Sequence, residues 1–167
     1  NVNITSPFNV TKNNTISNIS SAGTITGITT AAGNDSILLN TIYTLVSTGG
    51  TSTIVNGIAV KGGTTKQIYR NTIYDLQANN ITTGSVSGIA VSAGLSNILS
   101  GNKIYDISSG NSGITSGSVN GILISGSVVS QINIIHNNMI GDLRATAANV
   151  ANPVRGISIS NTGAPSV

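Results

Sequence analysis

Asn71-Thr-Ile-Tyr-Asp-Leu76 and, after a polar loop, Gly88-Ile-Ala-Val91 decide how this chain folds, because both recur. The first returns as Asn40-Thr-Ile-Tyr-Thr-Leu45, Asn102-Lys-Ile-Tyr-Asp-Ile107 and Asn138-Met-Ile-Gly-Asp-Leu143, with a weaker copy at Asn14-Thr-Ile-Ser-Asn-Ile19. The second returns as Gly27-Ile28, Gly57-Ile58, Gly121-Ile122 and Gly156-Ile157. The asparagines lie 26, 31, 31 and 36 residues apart and the glycines 30, 31, 33 and 35 apart. A repeat of this length describes stacked units, each too small to bury a core alone.

Within the period running from Lys66 to Asn97, Gln67-Ile-Tyr69, Thr72-Ile-Tyr-Asp-Leu76 and Val86-Ser-Gly-Ile-Ala-Val91 are short β-branched runs. They read as three strands. Arg70-Asn71 and Ala93-Gly-Leu95 read as turns, and Gln77 to Ser85 as a polar loop. No 3.6-residue periodicity runs through the chain, so helices are not expected. Three short strands per repeat wind into an all-β, right-handed parallel β-helix of about five coils, with one domain over residues 1–167. The last Gly-Ile unit stands close to Val167, and the expectation is a segment of a longer repeat protein.

Stacking coils about 4.8 Å apart places equivalent residues on one another. Ile16, Ile42, Ile73, Ile104 and Ile140 are expected to form one interior column, and Ile28, Ile58, Ile89, Ile122 and Ile157 a second. Ile68, Ile98 and Ile132 or Ile134 are expected to form a third. Each buried aliphatic side chain contributes about 1.5–3 kcal/mol. Asn40, Asn71, Asn102 and Asn138 are placed at the tightest turn, where Asn tolerates a left-handed backbone and its amides can form a ladder. The glycines before isoleucine admit the chain where a side chain would crowd it.

Composition agrees with a solenoid. Of 167 residues, 38% are hydrophobic, only 3% aromatic and 7% charged. Aliphatic stacks must therefore build the core, and Ser, Thr, Asn and Gly the surface. The net charge of +3 comes from Lys12, Lys61, Lys66, Arg70, Lys103, Arg144 and Arg155, which are scattered. A nucleic-acid partner would need clustered basic residues interleaved with aromatics. The absence of cysteine excludes disulfides and thiol chemistry. No apolar run reaches the 18 residues that signal a membrane span.

The combination Asn-x-Ile-Tyr-Asp-Leu, polar loop and Gly-Ile-x-[Val/Ile]-Ser resembles the pectate-lyase-like parallel β-helix superfamily. More narrowly, Asn137-Asn-Met-Ile-Gly-Asp-Leu-Arg-Ala145 with Arg155-Gly-Ile-Ser-Ile-Ser160 is similar to repeats of very large secreted proteins of gliding bacteria. The resemblance implies export by the type IX route and display on the outer cell surface as an adhesin or filament. The C-terminal sorting domain of that group is not in this sequence.

Catalysis in such folds needs clustered acids, and glycoside hydrolysis needs two carboxyl groups about 5–10 Å apart. This chain has no Glu and four Asp. Asp75, Asp106 and Asp142 share one repeat position with Asn18 and Thr44, as expected of a side-chain oxygen capping turn N–H groups. The alternative is calcium bridging these three acids, since stacked carboxylates repel by about 1 kcal/mol per close pair. His136, the only histidine, reads as an exposed turn residue. Tyr43, Tyr74 and Tyr105 read as an outward aromatic ladder, replaced at its ends by Ser17 and Gly141; a platform for sugar rings or a neighbouring fibre is the functional alternative. Ala59, Lys61, Ala90, Ser92, Leu123, Ser125, Ser158 and Ser160 are expected on a flat, mostly neutral outer face.

The function expected is therefore a non-enzymatic extracellular structural or adhesive module, without cofactors. Its partners would be copies or neighbouring repeats of itself, and surface glycans. The alternatives are a polysaccharide-binding or polysaccharide-degrading β-helix and, less well supported, an ice-binding protein. Ice binding would need threonines at one strand position, whereas Thr29-Thr30, Thr64-Thr65 and Thr82-Thr83 fall mostly in variable loops.

Overall fold

A computed structural model describes residues 8–49, 52–79, 83–110, 118–126, 128, 130–146 and 150–160. Each of the first four coils contributes three strands. They are β1 (Asn9–Lys12), β2 (Thr15–Ser21) and β3 (Ile25–Thr30); β4 (Asp35–Leu38), β5 (Thr41–Ser47) and β6 (Ser52–Val60); β7 (Thr65–Tyr69), β8 (Thr72–Ala78) and β9 (Thr83–Val91); and β10 (Ser96–Ser100), β11 (Lys103–Ser109) and β12 (Ser118–Ile124). The fifth coil has β13 (Ile132–His136), β14 (Met139–Ile140), β15 (Leu143–Ala145) and β16 (Val154–Ile159). No helix occurs among the described residues.

Every pairing is parallel and joins one coil to the next. The first sheet runs β1-β4-β7-β10-β13, the second β2-β5-β8-β11-β14 with β15 also on β11, and the third β3-β6-β9-β12-β16. The chain is a parallel β-helix. The strands exceed the runs read from sequence: the polar loop after Leu76 shrinks because Gln77, Ala78 and residues from Thr83 onward join the ladders.

Two of the expected columns are in register. Ile16, Ile42, Ile73, Ile104 and Ile140 pair in succession, as do Ile28, Ile58, Ile89, Ile122 and Ile157. The third column is corrected. Ile68 pairs with Ile37 and Leu99, and Leu99 with Ile135. Ile98 lies on the outer side opposite Gln67 and Ile134, while Ile132 and Ile134 are 56% and 47% exposed. Strand alternation is binary, so an offset of one residue reverses the face.

That offset was hidden by polar residues pointing inward. Asp35, Lys66, Asn97 and Asn133 occupy one register position in successive coils. Lys66 is completely buried and pairs with Asp35. Its Nζ also donates to Thr30 Oγ1 at 2.6 Å and to the Ala32 carbonyl at 3.1 Å, so all three ammonium protons have acceptors. Asn97 Nδ2 donates to Asn133 Oδ1 at 3.0 Å. Lys66, read above as one of several scattered cations, is instead a corner post of the core.

At the corner between first and second sheets the asparagines form an unbroken ladder. The backbone N–H and Nδ2 of Asn14, Asn40, Asn71 and Asn102 each donate to Oδ1 of the asparagine one coil on, at 2.9–3.1 Å, ending at Asn138. Nδ2 of Asn71 also donates to the Ile37 carbonyl at 3.0 Å, and Nδ2 of Asn102 to the Ile68 carbonyl at 2.9 Å. The left-handed backbone expected at these asparagines belongs instead to the residue before each: Asn13, Leu39, Arg70, Gly101 and Asn137, with φ of 57°, 56°, 55°, 63° and 54°. The turn is made by that residue, and the asparagine is selected because its amide satisfies a buried corner.

The Gly-Ile signature lies inside the third-sheet strands rather than at a loop entry. A Cβ on Gly57 would stand 2.5 Å from Ile73 Cγ2 and 2.6 Å from the Gly88 carbonyl. The glycine column exists because the isoleucine column of the second sheet fills the space beside it.

Candidate functional site

Three outer features carry the residues with chemical potential. The first is the face of the second sheet. Tyr43, Tyr74 and Tyr105 stack there with ring centroids 5.0 and 5.1 Å apart and planes within 2° and 1° of parallel. Ser17 pairs with Tyr43 at one end, and open space lies around Gly141 at the other. Partial burial, the flanking phenols and Asp75 together push the Tyr74 hydroxyl above the ordinary tyrosine range. Beside this column stand Thr15, Thr41 and Thr72, a shared strand position not recognised in the sequence; Lys103 interrupts it.

The second is the acid column. Asn18, Thr44, Asp75, Asp106 and Asp142 all have positive φ, from 49° to 58°. Pairing skips this position between adjacent strands, for example between Tyr74–Tyr105 and Leu76–Ile107. Asp and Asn recur there because they tolerate a left-handed bulge. Among the described residues the three aspartates accept from other side chains rather than from the turn N–H groups expected from sequence, and Asn18 Nδ2 donates to Ser17 Oγ at 3.2 Å. Thr44 Oγ1 donates to Asp75 at 2.6 Å and Gln77 Nε2 donates to it at 2.8 Å. Arg144 binds both Asp142, at 2.9 and 3.2 Å, and Asp106. A guanidinium thus sits where the calcium alternative places a cation between these two acids, and no group of three or more metal-ligating side chains occurs among the described residues.

The fourth acid, Asp35, faces Lys66. Burial raises its pKa, but hydrogen bonds from Lys66, Thr30 and Asn9 and the lysine charge outweigh this and hold it below the ordinary aspartate value. His136 is exposed at the end of β13.

The third feature is a groove of about 220 Å³ on the outer side of the third sheet. Asn56, Ser87 and Ala59 are buried in its wall, and Lys61, Ile54 and Leu123 also line it. The face expected to be flat is therefore concave over Ala59, Ala90 and Leu123. Its lining offers hydroxyls, amides, aliphatic surface and one cation, and no carboxylate or imidazole. Such a lining can hold a neutral polar ligand by hydrogen bonds and apolar contact. It supplies neither a general acid–base pair nor a nucleophile with its base.

Matched against family models, curated proteins and solved structures, the chain finds no counterpart. No helix among the described residues is long and apolar enough to cross a membrane.

Proposed function

We propose that this chain is a non-enzymatic structural or adhesive module of an extracellular surface, a rod segment in a stalk or filament. The observation that carries this reading is the Asn14-to-Asn138 ladder, which passes through every coil without a break. A solenoid with uniform register transmits load along its axis through repeated nearest-neighbour contacts. The ionisable groups support the same reading: each of the four acids is engaged by a neighbouring side chain, and none lines the groove. The lack of cysteine and the Ser/Thr/Asn-rich exterior fit a protein held together by ladders and columns alone. The resemblance to the superfamily and to the repeats of gliding bacteria belongs to this proposal, as does a bacterial cell-surface location. An antibody against the folded chain is expected to label intact cells of the source organism. Confinement of the protein to the cell interior would overturn the reading.

A second reading, glycan binding without cleavage, is favoured by the groove over Asn56, Ser87 and Ala59. A glycan array probed with the purified chain tests it, together with Ser87→Phe, which fills the groove. Release of new reducing ends from a polysaccharide would instead establish an enzyme and refute both readings.

A further inference from the structure

Ion pairs among the described residues engage only two cations, Lys66 with Asp35 and Arg144 with Asp106 and Asp142. Lys12, Lys61, Arg70, Lys103 and Arg155 have no acid beside them. Three of these, distant in sequence, meet along one lateral edge, the corner between the first and second sheets. Lys12 ends β1 and pairs with Leu38, which pairs in turn with Tyr69. Arg70 follows Tyr69 at the turn, and its N–H donates to the Ser100 carbonyl at 3.0 Å. Lys103 opens β11 and pairs with Thr72, two residues beyond Arg70. All three side chains are exposed. At about 4.8 Å per coil, they span about 14 Å along the axis. No acid lies on this edge: Asp35 occupies the corner between the third and first sheets, and the other three stand in bulges further along the second sheet.

A second observation concerns the backbone beneath these cations. Arg70 and Leu39 occupy the left-handed turn position, with φ of 55° and 56°, where other coils use Asn13, Gly101 and Asn137. Asn and Gly accept that conformation at little cost, and Arg and Leu do not. Strain kept at an exposed cation without an acid partner in its own chain points to a partner outside it. A Cβ on Gly101 would stand 3.6 Å from Arg70 Cγ, so the arginine stem leans over the glycine toward the coil that carries Lys103. Leu39, 46% exposed, stands between the Lys12 and Arg70 coils. The edge therefore alternates cations with apolar surface.

Lys and Arg bind anionic oxygens, Arg through two parallel N–H donors. A bare phosphate chain makes no use of Leu39, whereas a sugar ring presents a C–H face to it. We propose that this edge binds an acidic polysaccharide laid along the solenoid axis. Lys12, Arg70 and Lys103 hold its sulfate or carboxylate groups, and Leu39 packs under an intervening sugar. The site is separate from the groove on the third sheet, where Lys61 lies. It supplies the adhesive reading above with a partner and, in that role, rests on it.

Isothermal titration calorimetry of the whole chain with dextran sulfate, polygalacturonate, uncharged dextran and inorganic polyphosphate tests this. At least one of the two acidic polysaccharides is expected to bind, the tighter one naming the anionic group, and uncharged dextran is not. With three cations engaged, raising salt from about 50 to 200 mM is expected to weaken binding about tenfold or more. Arg70→Asn with Lys103→Gln is expected to weaken it by a similar factor. Arg70→Asn also relieves the left-handed position, so folding is retained, as far-UV circular dichroism checks. Leu39→Asn is expected to weaken polysaccharide binding and leave polyphosphate binding unchanged. Lys61→Gln, in the groove, is the control and is expected to change nothing. Failure of both acidic polysaccharides to bind, or full affinity in the Arg70/Lys103 variant, overturns the proposal. Binding lost in Lys61→Gln and kept in that variant moves the site to the groove and overturns it equally. Indifference of both polymer classes to Leu39→Asn overturns the assignment to a polysaccharide. Absence of the protein from the cell surface with binding intact would instead remove the adhesive role and spare the site.

Discussion

Replacing Asn71 with alanine tests the ladder where it is most deeply buried. Asn71 is fully buried, and its Oδ1 accepts both the backbone N–H and the Nδ2 of Asn40 at 3.0 Å. Its Nδ2 donates to the Ile37 carbonyl at 3.0 Å and to Asn102 Oδ1 at 3.0 Å. In Asn71→Ala both Asn40 donors and the Ile37 carbonyl lose these partners, while Asn102 Oδ1 keeps the backbone N–H of residue 71. Each orphaned buried group costs about 1–3 kcal/mol; allowing for partial relaxation, the three together come to about 3–6 kcal/mol. Asn14→Ala is the matched comparison. Asn14 is exposed, and Asn40 Oδ1 would keep the Asn14 backbone N–H, so the expected cost is below about 1 kcal/mol. Urea unfolding followed by far-UV circular dichroism measures both. Similar midpoints for the two variants, or a loss below about 1 kcal/mol for Asn71→Ala, would refute the reasoning, because it depends on burial and not on the amide alone.

The Lys66–Asp35 pair yields two predictions. Lys66→Met strands a largely buried carboxylate and is expected to cost about 3–5 kcal/mol, whereas adding Asp35→Leu is expected to restore most of that loss; a double-mutant cycle in urea measures the coupling. The folded-state pKa of Asp35 is lowered, so its stabilisation is present above the ordinary aspartate value and is lost as pH falls through the lower, folded value. Acid titration of the unfolding midpoint is therefore expected to show a decline below about pH 4 that is absent in the double variant. Thr44→Asn relieves a β-branched residue at φ 51° while keeping a donor for Asp75, and is expected to stabilise by about 1 kcal/mol in thermal or urea unfolding.

The fold was legible because every period repeats the same apolar positions, and a parallel stack requires equivalent residues to meet. Ile42, Ile73 and Ile104 could be aligned by eye, and the structure pairs them. The first sheet was harder. Asn97-Ile98-Leu99 offers two adjacent apolar residues, and the inward neighbour that sets the phase is a polar Asn aligned with a buried Lys. Hydrophobic alternation carries no signal where the core itself is polar. The same reason hid Lys66: a lysine reads as surface until an acid from another coil is placed beside it, and Asp35 lies 31 residues earlier. The asparagine and acid columns were both recognised, but their backbone roles were misassigned. A left-handed residue at Leu39 or Arg70 has no sequence signature, because side chains of that type ordinarily avoid the region. The groove on the third sheet was missed for a different reason: small outward residues announce a surface, but not its curvature.

Cysteine pairing tests the coil-to-coil register most directly, since the chain contains no cysteine of its own. Gln67 and Ile98 are outward partners on adjacent strands, whereas Leu99 points into the core beside Ile68. With Gln67→Cys, the variant carrying Ile98→Cys is expected to form an intramolecular disulfide under mild oxidation, seen as a mass loss of two hydrogens. The variant carrying Leu99→Cys is expected to remain reduced. Cross-linking of the Leu99 variant in preference to the Ile98 variant would place the strands one residue out of step and contradict the stacked columns on which the account stands.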